Sequence, residues 1–224
     1  VSTFLDSCHR RLFALPSRSS PAKQGRLLRL WFEWWHRRPD PWGLAVDNYE
    51  QHHYSTMLDH LPEQPYRRML DVGCSEGVFT DQLAARHPQA EVVGVDISQR
   101  ATDRARAGGV SGSGKRPRYL RLDVVSDDLD DRYDVVICAE MLYYLGRPER
   151  VRQSCRRLSR LLAPGGVLVV AHPWSEARQL HADLDGNPAL RHLHEHVDRT
   201  SWRPLAVTLY ERPTAPVVDA VMHP

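Results

Sequence analysis

Met69-Leu70-Asp71-Val72-Gly73-Cys74-Ser75-Glu76-Gly77-Val78-Phe79 is an apolar run that breaks at glycine and resumes with helical spacing at Val78, Leu83 and Ala84. It reads as strand, tight turn, helix. Glu91-Val92-Val93-Gly94-Val95-Asp96 repeats the pattern as a second strand ending in a carboxylate, followed by a helix from Ser98 to Ala107 with Ser98 as its N-cap. Arg118 to Asp123 reads as a third strand. Tyr133 to Ala139 is a fourth, apolar enough to be buried on both faces. A helix over Pro148 to Leu162 aligns Val151, Cys155, Leu158 and Leu162 on one stripe, and a fifth strand covers Gly166 to Ala171. Strands alternating with helices predict a parallel sheet covered on both faces and joined by right-handed crossovers. Two more strand-like runs, His192 to Val197 and Leu205 to Glu211, are close enough in sequence to pair as an antiparallel hairpin. The expected fold is α/β, a Rossmann-like three-layer sandwich around a mostly parallel seven-stranded sheet that ends in this hairpin.

Upstream the texture differs. Leu27, Leu28, Leu30, Trp31, Phe32, Trp34 and Trp35 interleave with Arg26, Arg29, Arg37 and Arg38, which predicts a helix over 26–38 ended by Pro39. A second helix is expected over Ala45 to His60, stopped by Pro62. Residues 1–62 are read as an N-terminal helical or lid segment, with 1–22 poorly ordered; 63–212 as the ligand-binding domain; and 213–224 as a tail. Gly108 to Gly114 is a flexible glycine-serine loop.

The whole chain has 224 residues, 42% hydrophobic and 26% charged, with 30 basic against 28 acidic side chains. That balance fits a globular domain and disfavours a dedicated nucleic-acid binder. Apolar runs are all broken by Arg, Asp or Pro, so no membrane span is expected. The four cysteines have no C-x-x-C spacing and the start shows no continuous apolar h-region, which suits a reduced, cytoplasmic setting.

The glycine turn sits where the first strand feeds the first helix, so the backbone there approaches a ligand closely. Gly73-x-Ser75-x-Gly77 is shorter than the Gly-x-Gly-x-x-Gly loop of dinucleotide binders, which counts against an NAD-dependent oxidoreductase. Asp96, ending the second strand, is placed to accept hydrogen bonds from ribose hydroxyls. The ligand therefore carries an adenosine. These residues resemble class I methyltransferases that use S-adenosylmethionine: Asp71 to Gly77 looks like the first motif, Asp96 like the ribose acid, Leu122-Asp123-Val124 like the motif beside adenine, and Leu162-Ala-Pro-Gly-Gly166 like the turn before the fifth strand. Gly73 to Phe79, Ala139-Glu140-Met141-Leu142-Tyr143-Tyr144 and the Tyr49-Glu50 helix resemble the NodS-type subgroup, which N-methylates amino-sugar oligosaccharides. Ser75 departs from the commoner middle glycine, and serine is small enough to keep binding. The resemblance spans about residues 40–212.

The resemblance implies a methyl transfer to nitrogen or oxygen of a small molecule by in-line displacement, with S-adenosylhomocysteine as product and no metal. It places the donor against Asp71, Gly73, Cys74, Ser75, Gly77, Asp96, Ile97, Asp123, Val124 and Glu140. Glu140 follows the fourth strand and His172 the fifth, both at the carboxyl edge of the sheet. They are the candidate catalytic groups, to hold a cationic amine or take a proton. Tyr143 and Tyr144 are candidates to line the acceptor, as are Tyr49 and His53, which share a helix face with His52. His192, His194 and His196 alternate along a strand at metal-ligand spacing, but no acidic partner is placed with them and no metal is expected. A monomer or homodimer is expected. The alternative of another class is a non-catalytic nucleoside-binding module acting through its Trp-rich helix.

Overall fold

The computed structural model describes residues 20–108, 115–129 and 131–214. The expectations for the chain start, for most of the glycine-serine loop and for the tail from residue 215 lie outside those residues. Element order is α1 (Pro21–Trp35), α2 (Asn48–Asp59), β1 (Arg68–Val72), α3 (Val78–Arg86), β2 (Glu91–Asp96), α4 (Gln99–Gly108), β3 (Arg118–Arg121) and β4 (Tyr133–Ala139). A 3₁₀ turn (Leu142–Leu145), α5 (Pro148–Leu161), β5 (Leu162–Pro173), α6 (Trp174–Asp185), β6 (Arg191–Asp198) and β7 (Leu205–Glu211) follow.

The strand order is β3-β2-β1-β4-β5-β7-β6, with β1 to β5 parallel and β7 antiparallel to both β5 and β6. The order reverses between β1 and β4, the point at which open α/β sheets leave a crevice beyond the carboxyl ends of their strands. Strand periodicity divides the core into two layers. Leu70, Val72, Val93 and Val95 pack with Leu158, Leu161 and Leu184 on one face. Met69, Val92, Val135 and Ile137 pack with Tyr54, Met57, Phe79 and Leu83 on the other. The predicted three-layer sandwich and its terminal hairpin are both present.

The structure adjusts several boundaries. α1 begins at Pro21, which supplies a helical φ and has no N–H to leave unpaired, and it ends before Pro39. α2 starts at Asn48 because the Asp47 side chain accepts from the Tyr49 N–H and caps it. β3 stops at Arg121, since Asp123 instead accepts from the Val125 N–H and turns the chain. α6 was not anticipated, although Ala177, Leu180, His181 and Leu184 are buried at helical spacing. Among the described residues no helix is long and apolar enough to cross a membrane.

Candidate active site

A cavity of about 530 Å³ opens at the carboxyl ends of β1, β2 and β4. At its β1 side Gly73 turns with φ 83°, and the N–H groups of Gly73 and Cys74 both donate to the Val95 carbonyl, at 2.8 and 3.0 Å. The turn is thereby clamped to the end of β2. Ser75 takes φ 50°, a left-handed conformation that costs a non-glycine residue about 1 kcal/mol. Its N–H donates to Asp96 Oδ2 at 3.0 Å, and Ser98 N–H donates to Oδ1 at 2.8 Å. Each carboxylate oxygen keeps a lone pair for a ligand hydroxyl. Burial pushes the Asp96 carboxyl above its ordinary range. Asp71 is buried beneath the turn, accepts from Thr80 Oγ1 at 2.6 Å, and is pushed up to about 7 by burial.

Ile97, Asp123 and Val124 line the far side of this cradle. Asp123 is buried in an ion pair with buried Arg150, Oδ2 to Nη2 3.2 Å. Gly77 is not on the cavity wall. A Cβ there would meet the Tyr119 ring at 2.7–2.9 Å, and φ is 86°. The structure corrects its expected role: Gly77 begins α3 and lets Tyr119 pack beneath the turn.

The opposite end of the cavity is polar and aromatic. Glu140 has φ 51°, and its N–H is tied to the Ala171 carbonyl at 2.8 Å. Its Oε2 accepts from Tyr143 O–H at 2.9 Å and lies 3.3 Å from the Arg203 guanidinium. Tyr49 donates to the Arg203 carbonyl at 3.0 Å, and its ring lies against His53, centroids 3.8 Å apart, and beside Trp202 at 5.3 Å. His53 is buried on the cavity wall and neither ring nitrogen has a hydrogen-bond partner. Burial first, and then the Arg203 charge, push its pKa down to about 4, so it is neutral at physiological pH.

His172 does not fit the role expected of it. It is fully buried and off the cavity wall, with both ring nitrogens engaged. Leu142 N–H donates to its Nε2 at 3.2 Å, so Nδ1 carries the proton and donates to His181 Nε2 at 3.0 Å. The tautomer is then set onward, with His181 Nδ1 donating to Thr208 Oγ1 at 3.1 Å. Burial holds both imidazoles neutral, the second at about 4. The chain anchors the 3₁₀ turn that carries Tyr143 and Tyr144, and leaves no nitrogen to take a proton from a ligand.

The Trp-rich helix is the roof. Leu28, Phe32 and Trp35 of α1, with His36 and Trp42 after it, cover the cavity, and Phe32 meets Tyr144 edge-on at 5.3 Å. Polar contacts fasten it to the carboxyl edge. The Glu33 carboxylate accepts from Gln99 N–H, Arg29 pairs with Asp127 at 3.1 Å, and His36 Nδ1 meets Glu76 Oε1 at 3.2 Å. Glu76, inside the glycine turn, also takes the Asp40 N–H at 3.1 Å and Arg104 at 2.8 Å. Glu76, Trp202 and Arg203 were not found from sequence. Their partners lie from 28 to 154 positions away along the chain, so only the fold brings them together.

The donor site fits a nucleoside of the expected kind. Ser75 Oγ is buried on the wall without a partner, beside the doubly anchored Asp96. The sheet order, the glycine turn after β1 and the buried carboxylate that ends β2 together match the class I S-adenosylmethionine-dependent methyltransferase architecture. The chain belongs to the Nodulation protein S (NodS) family, whose model matches residues 33–201. It is 35% identical over 135 residues to nodulation protein S of Rhizobium tropici, across 58% of this chain and 53% of that one, so it spans about half the relative's length. It is 32% identical over 101 residues to a ubiquinone biosynthesis O-methyltransferase of Leptothrix cholodnii, covering 44% and 41% of the two chains. The solved structure of the N-methyltransferase NodS from Bradyrhizobium japonicum WM9 with S-adenosylhomocysteine superposes with TM-score 0.69 at 22% identity, over 80% of this chain and 94% of that one.

Proposed function

We propose that this protein transfers a methyl group from S-adenosylmethionine to the nitrogen of a small, polar, amine-bearing acceptor, an amino sugar being the first candidate. The observation that carries the reading is the pairing, in one cavity, of the Asp96–Ser75 cradle with the Glu140–His53 end. Family membership supports it, and the structurally similar NodS of Bradyrhizobium japonicum WM9 is an N-methyltransferase. A nucleoside-binding module or an NAD-dependent oxidoreductase is not favoured by that membership.

Bound S-adenosylmethionine supplies an electrophilic methyl on sulfur. Asp96 accepts the ribose hydroxyls, Ser75 Oγ donates to a donor oxygen, and Val124 and Ile97 flank the base. Glu140 attracts an ammonium acceptor into the cavity, held in place by Tyr143 and Arg203. The ammonium gives one proton to the Glu140 carboxylate. The neutral amine then donates a remaining N–H to neutral His53, which orients the nitrogen lone pair toward the methyl. As the N–C bond forms and the C–S bond breaks, S-adenosylhomocysteine leaves, and positioning supplies most of the rate. Tyr49 and exposed Trp202 give the acceptor's body a flat apolar wall.

Incubation with S-adenosylmethionine and paired panels of amines and their hydroxyl analogues, followed by mass spectrometry, tests this directly. Methylated amines with the hydroxyl analogues unmodified are expected. Methylation of the hydroxyl set alone would replace nitrogen by oxygen. His53→Ala should lower kcat by up to about 100-fold with the donor KM unchanged, the scale on which a misplaced reacting atom slows a positioned reaction.

A further inference from the structure

His60, His194 and His196 come from two distant segments and meet outside the methyl-transfer cavity, each offering one ligand atom within 4.8 Å of the others. His60 follows α2, while His194 and His196 lie on edge strand β6. Strand alternation alone would have grouped His192 with the latter two. A register shift separates it: His192 is opposite Tyr210 and His194 opposite Leu209, which puts His192 on the other face, its ring against Tyr210 at 5.3 Å. His60 takes the vacated third place.

The cluster has a feature beyond proximity. His60 Nδ1 donates to the Thr56 carbonyl at 2.8 Å, which fixes the tautomer and turns Nε2 outward as an acceptor. Metal-bound histidines are oriented in this way by a second hydrogen bond. The His60 ring is stacked on His196 at 4.3 Å and on His194 at 5.7 Å. A tetrahedral ion with bonds of about 2.0–2.1 Å separates its nitrogens by roughly 3.3 Å, and the exposed His194 side chain has room to close that gap. Three imidazoles without a carboxylate select borderline transition ions over magnesium or calcium.

We propose that His60, His194 and His196 form a site for a zinc-class divalent ion that ties the end of α2 to the sheet edge. The ion takes no part in the displacement. Its consequence is mechanical: α2 carries Tyr49 and His53, so the clamp holds the acceptor wall against β6.

The test is titration of the tag-free full chain with cobalt chloride, followed by zinc chloride. Expected are visible d–d absorption of tetrahedral cobalt saturating at one equivalent, its displacement by zinc, and an affinity at least tenfold weaker in His194→Ala and His196→Ala. His192→Ala, on the opposite face, should bind as wild type does, and all three variants should bind S-adenosylhomocysteine normally, which shows them folded. Absence of the tetrahedral spectrum, or equal weakening by His192→Ala and His194→Ala, would overturn the site as adventitious surface binding.

Discussion

Asp71 receives one hydrogen bond, from Thr80, yet burial outweighs it and its carboxyl titrates at about 7. The unfolded chain ionises this group near 3.9, so between those values the native state holds a proton that the unfolded state lacks. Stability from this residue is therefore greatest at low pH and is lost as pH rises through 7, a span worth roughly 4 kcal/mol for a shift of this size. Asp71→Asn removes this titration. Measured as a difference in urea midpoint from wild type, the variant should gain stability between pH 5 and 8 while binding S-adenosylhomocysteine more weakly; a constant difference across that range would refute the titration. Asp96 carries the opposite balance of risk. On the proposed placement of the ribose, Asp96→Ala loses the acceptor for two hydroxyls and frees the Ser75 and Ser98 N–H groups, so donor affinity should fall by about 100-fold or more at roughly 1.5 kcal/mol or more per charged hydrogen bond. Titration calorimetry reads that loss directly, and unchanged affinity would remove the adenosine from this end of the cavity.

At the scale of elements, β5, α6 and β7 are joined by the His172–His181–Thr208 chain, which explains why a buried histidine pair persists in an otherwise apolar layer. Both rings stay neutral in the folded protein, His181 down to about 4, whereas the unfolded chain protonates them near 6.5. Below pH 6.5 the unfolded state takes up protons first, so stability falls as pH falls. His181→Gln keeps a donor and an acceptor; it should cost about 1–2 kcal/mol at pH 7 but flatten the acid limb of the urea midpoint against pH, which a base role would not produce. Gly77 is likewise an element's residue: Gly77→Ala drives a methyl into the Tyr119 ring at positive φ and should cost about 1–3 kcal/mol, read from thermal melting. These two residues mark where sequence reading stopped. β1, β2, β4 and β5 were visible in local hydropathy, and Asp71, Ser75 and Asp96 in local spacing, because each sits beside a strand end. Whether His172 faces the cavity or the α6 layer depends on His181, 9 residues on in the unanticipated helix that directly follows its strand. Glu76 as a latch depends likewise on α1 crossing the carboxyl edge.

Across the whole molecule, α1 is attached differently from the sheet helices. It is held by Glu33, Arg29 and His36 at the carboxyl edge and buries Leu28, but exposes Leu27, Leu30 and Trp34 on its outer side. A helix with few buried apolar side chains and partly exposed ion pairs opens at a lower free energy than the core. Because α1 roofs the cradle, a nucleoside bound beneath it is enclosed only while the roof is shut. Ligand binding then stabilises the closed form by RT ln(1 + [L]/Kd), about 2.7 kcal/mol at 100 times Kd. Hydrogen exchange of the α1 amides should therefore slow by up to about 100-fold at that S-adenosylhomocysteine concentration, with β1 and β4 amides much less affected. Glu76→Gln removes the charge that His36 and Arg104 share, so it should weaken the closure, speed ligand dissociation several-fold and, because Glu76 and His36 are both largely buried, lower thermal stability by about 1–3 kcal/mol. If α1 exchanged at the same rate with and without ligand, the helix would be a fixed part of the body and entry to the cavity would have to lie at the Tyr49–Trp202 side instead.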